Sequence, residues 1–324
     1  MKKSLPQLVI SLFFIGLLFY LMRNDLPQIA QTLKQANPWL IVSGILLYLV
    51  SATLLARRLQ LIYAAQETPI PLRESINITF VGFFFNNFLP TAVGGDLVKA
   101  YCGARITKER LKSLTSVLMD RIVGLLVFIL IPSITIFFLA GTLDPLIPRT
   151  IIVLLVVAFL CLVFLFNRGV ASRFGFLKPL LDRLKIGDKL VMLYDGLNAF
   201  RGHLRLIPQV SILSFVGQAL SITTIYLFIR SLSADIQIVQ VFLLTPVVHL
   251  MSMVPSINGL GVRETAFVYF FKGLIGIHNA SALAILYLFL LFFVSVIGSV
   301  IYLVRHDYHL KWNQIMGTSQ ENTA

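Results

Sequence analysis

The chain has 324 residues, of which 57% are hydrophobic and only 13% are charged. A soluble domain of this length needs far more polar surface to cover its core, so the composition excludes one. The net charge of +13 does not indicate a nucleic-acid partner, because the basic residues follow the loops between long apolar segments.

Six apolar runs are each near or above the roughly 18 residues that are typical of a membrane-spanning helix. They must be helical, because hydrocarbon offers no partners for exposed backbone groups. The first run follows two lysines, but no small-x-small cleavage site comes after it, so we interpret it as an uncleaved span rather than a signal peptide. The predicted spans are Leu5–Met22, Trp39–Ala56, Ser113–Ala140, Thr150–Asn167, Gln209–Ile229 and Ser281–Val304.

Two further apolar segments, Glu74–Leu97 and Ile238–Ile277, contain residues that break helices. The first has basic residues on both flanks, so a single crossing would place one basic cluster outside. We interpret both segments as re-entrant hairpins, the first entering from the cytoplasm and the second from outside. The alternative is that each is one kinked span. The predicted helix breaks are Pro90, Gly94 and Gly95 in the first segment and Pro255, Gly259 and Gly261 in the second.

The distribution of basic residues predicts the orientation. With this path, 20 of the 27 Lys and Arg residues lie inside, including Arg57, Arg58 and Lys99 as flanks of the first hairpin. Five lie outside, and Arg121 and Arg263 lie within the membrane. This asymmetry indicates a cell-membrane protein with both termini in the cytoplasm.

The order of segments predicts an all-α polytopic membrane protein with about six full spans and two broken re-entrant hairpins. Each half reads span, span, hairpin, span, and the halves start from opposite sides, which is typical of an inverted repeat with a midplane site. We predict one transmembrane domain over residues 1–310, with repeat halves at about 1–140 and 150–304 and a short cytoplasmic tail at 311–324. Residues 168–208 form an amphipathic cytoplasmic segment that rests on anionic inner-leaflet lipids, packs against the spans, or does both.

A charge inside a membrane is costly and is a functional candidate by default. The alternative is that such charges pair with one another and fix the hairpins to the bundle. Asn86 and Asn87 are candidates for capping the broken backbone or for contacting a ligand, and His249 is more suited to packing or a hydrogen bond. The five charged candidates are Asp96, Asp120, Arg121, Arg263 and Glu264.

Three motifs in order resemble the flippase-like transmembrane family of the lysylphosphatidylglycerol synthetases, over roughly Leu5–Val304. They are Asn86-Asn87-Phe-Leu-Pro90-x-x-x-Gly94-Gly95-Asp96, the pair Asp120-Arg121, and Gly259-x-Gly261-x-Arg263-Glu264. The resemblance implies movement of a lipid between leaflets, with Asp96, Arg121 and Glu264 as the site residues. In two-part relatives a C-terminal domain makes the lipid; only 20 residues follow Val304 here, so we do not expect lysine transfer.

The leading hypothesis is therefore a flippase or translocase for a phosphate-bearing lipid or a lipid-linked precursor. A non-transporting partner of a glycosyltransferase or lipid-synthesising enzyme is the alternative. An intramembrane enzyme is disfavoured because no nucleophile elbow, zinc motif or P-loop is present. Cys102 and Cys161 have no metal-ligand spacing, so neither a metal nor a cofactor is expected.

The orientation is testable with single cysteines in a cysteine-free background. A cysteine at Gln31 should react with an impermeant thiol reagent in intact cells, because this position lies outside in the predicted path. Cysteines at Ser172 and Ser319 should react only after the cells are permeabilised. Labelling at Ser319 in intact cells would contradict the cytoplasmic C-terminus.

Overall fold

The computed structural model of the protein describes residues 26–88, 94–138, 153, 156, 200, 206–252 and 261–308. Within these ranges the chain forms α-helices and two short 3-10 helices, and no β-strand. The helices are α1 (Leu26–Gln35), α2 (Pro38–Ala65), α3 (Leu72–Phe88), α4 (Gly94–Thr107), α5 (Arg110–Thr135), α6 (Ile207–Ser231), α7 (Ile238–Met251), α8 (Val262–Ile275) and α9 (Ile277–Val304).

Helices α2, α5, α6 and α9 are long and apolar enough to cross a membrane. They match four of the six predicted spans, and the all-helical membrane class is confirmed to that extent. The predicted spans Leu5–Met22 and Thr150–Asn167 lie outside the described residues, apart from residues 153 and 156. The same holds for most of the amphipathic segment 168–208, whose last residue, Pro208, lies in the first turn of α6. The short helix α1 was not predicted from the sequence.

Helices α2 and α6 run antiparallel in close contact, and two matching hydrogen bonds join them. The Ser51 hydroxyl donates to the Gly217 carbonyl at 2.6 Å, and the Thr224 hydroxyl donates to the Gly44 carbonyl at 3.2 Å. Leu55 packs over Gly217 just as Phe228 packs over Gly44. In both helices the glycine stands seven residues before the hydroxyl residue and eleven before the large apolar one, so the two contacts are copies of each other.

Helix α3 lies antiparallel to the second half of α9. At its start, the Glu74 carboxylate accepts hydrogen bonds from Arg305 and from the Tyr308 hydroxyl. Burial and these contacts with Glu74 raise the pKa of Tyr308 above its ordinary range. At its end, Asn87 donates to the Leu291 carbonyl at 3.0 Å, in the middle of α9. Helix α3 therefore begins at one end of α9 and ends at its centre.

Helices α7 and α8 approach α9 from its other end. Helix α8 connects to the start of α9 through Gly276, whose φ of 81° is a backbone conformation that favours glycine. Near the end of α7, His249 Nε2 lies 2.7 Å from the Tyr287 hydroxyl. Tyr287 is one helical turn before Leu291, so α3 and α7 both end beside the middle of α9.

Close packing of α3 on α9 depends on Gly298, which faces the backbone of Phe80. Changing Gly298 to Ala would push a methyl group into the Phe80 carbonyl and should cost about 1–3 kcal/mol. The matched control is Gly273→Ala in α8, where a methyl group meets nothing within 4 Å. We expect a lower melting temperature in detergent for the first variant and an unchanged or higher one for the second. Equal melting temperatures would show that α3 does not pack on α9 as described.

Candidate functional site

The helical pairs α3/α4 and α7/α8 carry most of the predicted site residues, and α5 carries Asp120 and Arg121. Pro90, Pro255 and Gly259 lie outside the described residues. Gly94 and Gly95 are not in the break, since they form the first turn of α4. Gly261, with a φ of 81°, immediately precedes α8, as expected of a residue at a helix break.

Asn86 caps the start of α4. Its side-chain oxygen accepts a hydrogen bond from the Gly95 amide at 2.9 Å, whereas Asn87 caps neither helix and bonds to α9. A side chain at Gly95 would overlap the Gly82 carbonyl and Asn86 itself, so α3 and α4 can approach this closely only with glycine at position 95. The capped terminus fixes the helix turn that carries Asp96.

Asp96 holds two cations. Its carboxylate pairs with Arg121 near the middle of α5, and it lies 3.6 Å from Lys99 Nζ, one turn further along α4. The Arg121 side chain remains 26% exposed, whereas those of Asp96 and Lys99 are 13% and 10% exposed. This cluster joins α4 to α5 and leaves part of one guanidinium accessible.

Glu264 and Arg263 form a second, more enclosed cluster. Glu264 accepts a hydrogen bond from the Gly261 amide at 2.7 Å, so it caps its own helix. Its other oxygen accepts from Arg263 at 2.8 Å, and the Arg263 guanidinium lies 5.5 Å from the centre of the Tyr287 ring. The side chains of Arg263 and Glu264 are 6% and 3% exposed.

His249 orients the Tyr287 ring. Its Nδ1 lies 2.9 Å from the Thr245 carbonyl, which can only accept, so Nδ1 donates there. In the neutral ring Nε2 then accepts from the Tyr287 hydroxyl. The imidazole also stacks on Phe128 of α5. The prediction that His249 packs and makes a hydrogen bond is confirmed.

Asp120 faces away from Asp96 and pairs with Arg58 of α2. The distance from Arg58 Nε to the Asp120 carboxylate is 2.7 Å, and Arg58 Nη1 donates to the Ser214 hydroxyl at 2.8 Å. Asp120 thus follows the alternative in which buried charges pair with one another, but the pair joins α2, α5 and α6 and does not fix a hairpin to the bundle. Arg58, which the sequence placed in a cytoplasmic flank, lies within α2, which continues to Ala65, and is buried there.

Three residues of these clusters were not identified as site residues from the sequence: Arg58, Lys99 and Tyr287. Arg58 and Lys99 were counted as interfacial charges, although both are buried. The sequence did contain a signal for Arg58. No proline or glycine stands between Arg58 and Ala65, which indicates that the helix of the preceding apolar stretch continues past Arg58. Within the described ranges, no group of three or more His, Cys, Asp or Glu residues is placed to hold a metal ion.

The fold and its buried charges define a multi-pass helical membrane protein with polar clusters inside the bundle. The chain belongs to the family described as the lysylphosphatidylglycerol synthase TM region, which matches residues 7–301. It is also similar to a UPF0104 membrane protein of Methanothermobacter thermautotrophicus, at 23% identity over 267 residues. That match covers 76% of this chain and 78% of the relative. The resemblance read from the three motifs is thereby confirmed.

The Arg58–Asp120 pair should contribute to folding. Arg58→Met leaves the Asp120 carboxylate buried without its main partner and should cost about 3–5 kcal/mol. The double variant Arg58→Met/Asp120→Leu removes both charges and should recover much of that loss. Melting in detergent measures both, with the exposed Arg57→Gln as a control that should change stability by less than about 0.5 kcal/mol. Losses that simply add in the double variant would contradict a direct pair.

Proposed function

We propose that this protein is a lipid translocase that moves a phosphate-bearing lipid or lipid-linked precursor between the leaflets of the cell membrane. The observation that carries the proposal is the Asp96–Arg121–Lys99 cluster at the middle of the bundle, where one guanidinium stays partly exposed. Guanidinium binds phosphate oxygens in pairs, which suits a headgroup that enters a water-poor site.

The candidate phosphate-binding arginines differ in how far their side chains are exposed. Arg58 and Arg263 each have side chains that are 6% exposed and are closely paired with one carboxylate. Arg121 has 26% of its side chain exposed, and Asp96 shares its charge between Arg121 and Lys99. A headgroup phosphate is therefore expected to reach Arg121 first, with Asp96 as the group that holds the guanidinium ready.

An inverted repeat supports alternating access to this site. The copied contacts of Ser51 with Gly217 and of Thr224 with Gly44 are what a twofold axis between α2 and α6 would generate. Other pairs follow the same relation, since α3 packs on α9 as α7 packs on α5, and α4 packs on α5 as α8 packs on α9. Folds of this kind place their site where the two broken segments meet.

Re-entrant hairpins are supported by the length of α3 relative to α9. Helix α3, with 17 residues, starts beside Arg305 and ends beside Leu291, so it runs along only the second half of the 28-residue α9, which is long enough to span the membrane. The other pair reaches the same depth from the opposite end, at Tyr287. In this arrangement the ends of α3 and α7 lie near the bilayer centre, and α3 enters from the side that we assign to the cytoplasm.

The test is reconstitution of the purified protein in vesicles that contain fluorescent lipids, with leaflet exchange followed by quenching from outside. Arg121→Gln should slow the movement of a phosphate-bearing lipid about tenfold or more, because a hydrogen bond to a charged group contributes about 1.5–3 kcal/mol. Asp96→Asn should slow it as well. The control is Lys112→Gln, which removes a cation of α5 that is more exposed than Arg121, and it should not change the rate of lipid movement.

Melting in detergent separates a site role from a folding role. A site role predicts that the Arg121 variant stays folded while movement is lost, whereas a purely structural role predicts early melting like that of the Arg58 variant. Absence of lipid movement by the folded unmodified protein would reject the translocase and favour a protein that recruits a glycosyltransferase or lipid-synthesising enzyme. Glu264→Gln tests the second hairpin in the same way.

A further inference from the structure

We infer that the segment after α9, Arg305–Tyr308, is a latch that holds α3 and α4 closed at the end of the bundle that we assign to the cytoplasm. Release of this latch controls access to the cluster around Asp96. The inference concerns the regulation of that site and rests on the proposed function. It depends on contacts at the far end of α4 from Asp96, so it is independent of the charges within the cluster.

The latch contacts the start of α3 and the end of α4. The Glu74 carboxylate, in the first turn of α3, accepts hydrogen bonds from Arg305 and from the Tyr308 hydroxyl. In the last turn of α4, Arg105 Nε donates to the Asp307 carbonyl at 3.4 Å. The segment that ends α9 therefore joins both helices of the first broken segment at the same end of the bundle.

Tyr308 fills the space beneath these polar contacts. It is fully buried, in an apolar cluster that includes Tyr63 of α2, Ile78 of α3 and Cys102 of α4. The Arg305 guanidinium lies 5.3 Å from the centre of the Tyr308 ring. The tyrosine thus packs through its ring and pairs through its hydroxyl, as buried tyrosines usually do. Withdrawal of this one side chain would open the cluster and make Cys102 accessible.

A similar turn in the other half of the chain does not bury its aromatic residue. Helix α5 begins near the end of α4 and is followed at the opposite end of the bundle by a 3-10 turn, Ile136–Phe138, just as α9 is followed by His306–Tyr308. The third residue of each turn is aromatic, but Phe138 is 75% exposed whereas Tyr308 is 0% exposed. Such a turn is therefore not buried by necessity, and the docking of Tyr308 comes from its partners on α3 and α4.

The latch and the Asp96 cluster lie at opposite ends of α4. Asp96 is in the first turn of this helix and Arg105 is in the last, about 14 Å apart at 1.5 Å per residue. The side chains of Asp96 and Arg121 remain mostly buried, so a headgroup needs α4 to move away from α5 before it reaches them fully. A short helix moves as one unit, so this movement displaces Arg105 as well and is resisted while the latch is closed.

The test uses Cys102 as a reporter in a Cys161→Ser background, where it is the remaining cysteine. A buried thiol reacts only when it becomes accessible, so its rate of modification by N-ethylmaleimide in vesicles measures opening. Glu74→Gln removes the charge that both donors share, and Cys102 should then react about tenfold faster, which corresponds to 1.4 kcal/mol. Tyr308→Phe keeps the ring and should give a smaller increase. The control, Asp307→Asn, changes only an exposed side chain and should leave the rate unchanged.

Lipid movement in the same vesicles shows whether the latch regulates the site. With fluorescent phosphatidylglycerol as the probe, Glu74→Gln should increase the rate of movement by a similar factor, because opening precedes access. If this variant fails to fold, Tyr308→Phe decides. A purely structural contact predicts a lower melting temperature with unchanged Cys102 reactivity in the folded variants.

Unchanged Cys102 reactivity in the folded variants would overturn the inference, and so would faster reaction of Cys102 without faster lipid movement. Failure of the proposed function looks different, because then the unmodified protein moves no lipid. The Cys102 rates would still show whether Arg305–Tyr308 opens as a latch.

Discussion

The buried charges of this bundle are stable only because each has a partner on another segment or at a helix end, and α5 is where two of these pairings meet. Asp120 and Arg121 are neighbours in sequence, so their side chains leave the helix about 100° apart. One turns to Arg58 on α2 and the other to Asp96 on α4. A single turn of α5 therefore joins the first hairpin to the crossing of α2 and α6.

Helix α9 has the corresponding role for the ends of α3 and α7 and for the start of α8. The Leu291 carbonyl accepts a hydrogen bond from Asn87 of α3, and Tyr287 contacts His249 of α7 and Arg263 of α8. These contacts lie one turn apart on a helix that is long enough to span a membrane. A shift of α3 or α7 along α9 would break these polar contacts, so they fix how far each of the two helices extends along α9.

Hydropathy was sufficient to predict the helical membrane class, because the backbone in hydrocarbon has so few solutions. It identified α2, α5, α6 and α9 as spans and two further apolar segments with helix-breaking residues, but it ended the first segment at Leu97, whereas α4 continues to Thr107. Counting basic residues in flanks did not distinguish Arg58 and Lys99 from interfacial charges, because the sequence does not state whether a charge has a buried partner. The copied glycine and hydroxyl pattern of α2 and α6 was present in the sequence, but such a short pattern gains meaning only once the two helices are known to cross.

The carboxylates at the starts of α4 and α8 have matching positions but different partners. Asp96 and Glu264 each occupy the third position of the second helix in their hairpins. Glu264 caps its own helix and pairs with the adjacent residue, so its charge is satisfied within one turn of α8. Asp96 leaves the capping of α4 to Asn86 and reaches across to α5. Because the side-chain oxygen of Asn86 caps α4, the carboxylate of Asp96 is available to pair with Arg121 and Lys99. Matching positions of α4 and α8 therefore hold carboxylates with different tasks, since Glu264 closes its own helix end whereas Asp96 joins α4 to α5.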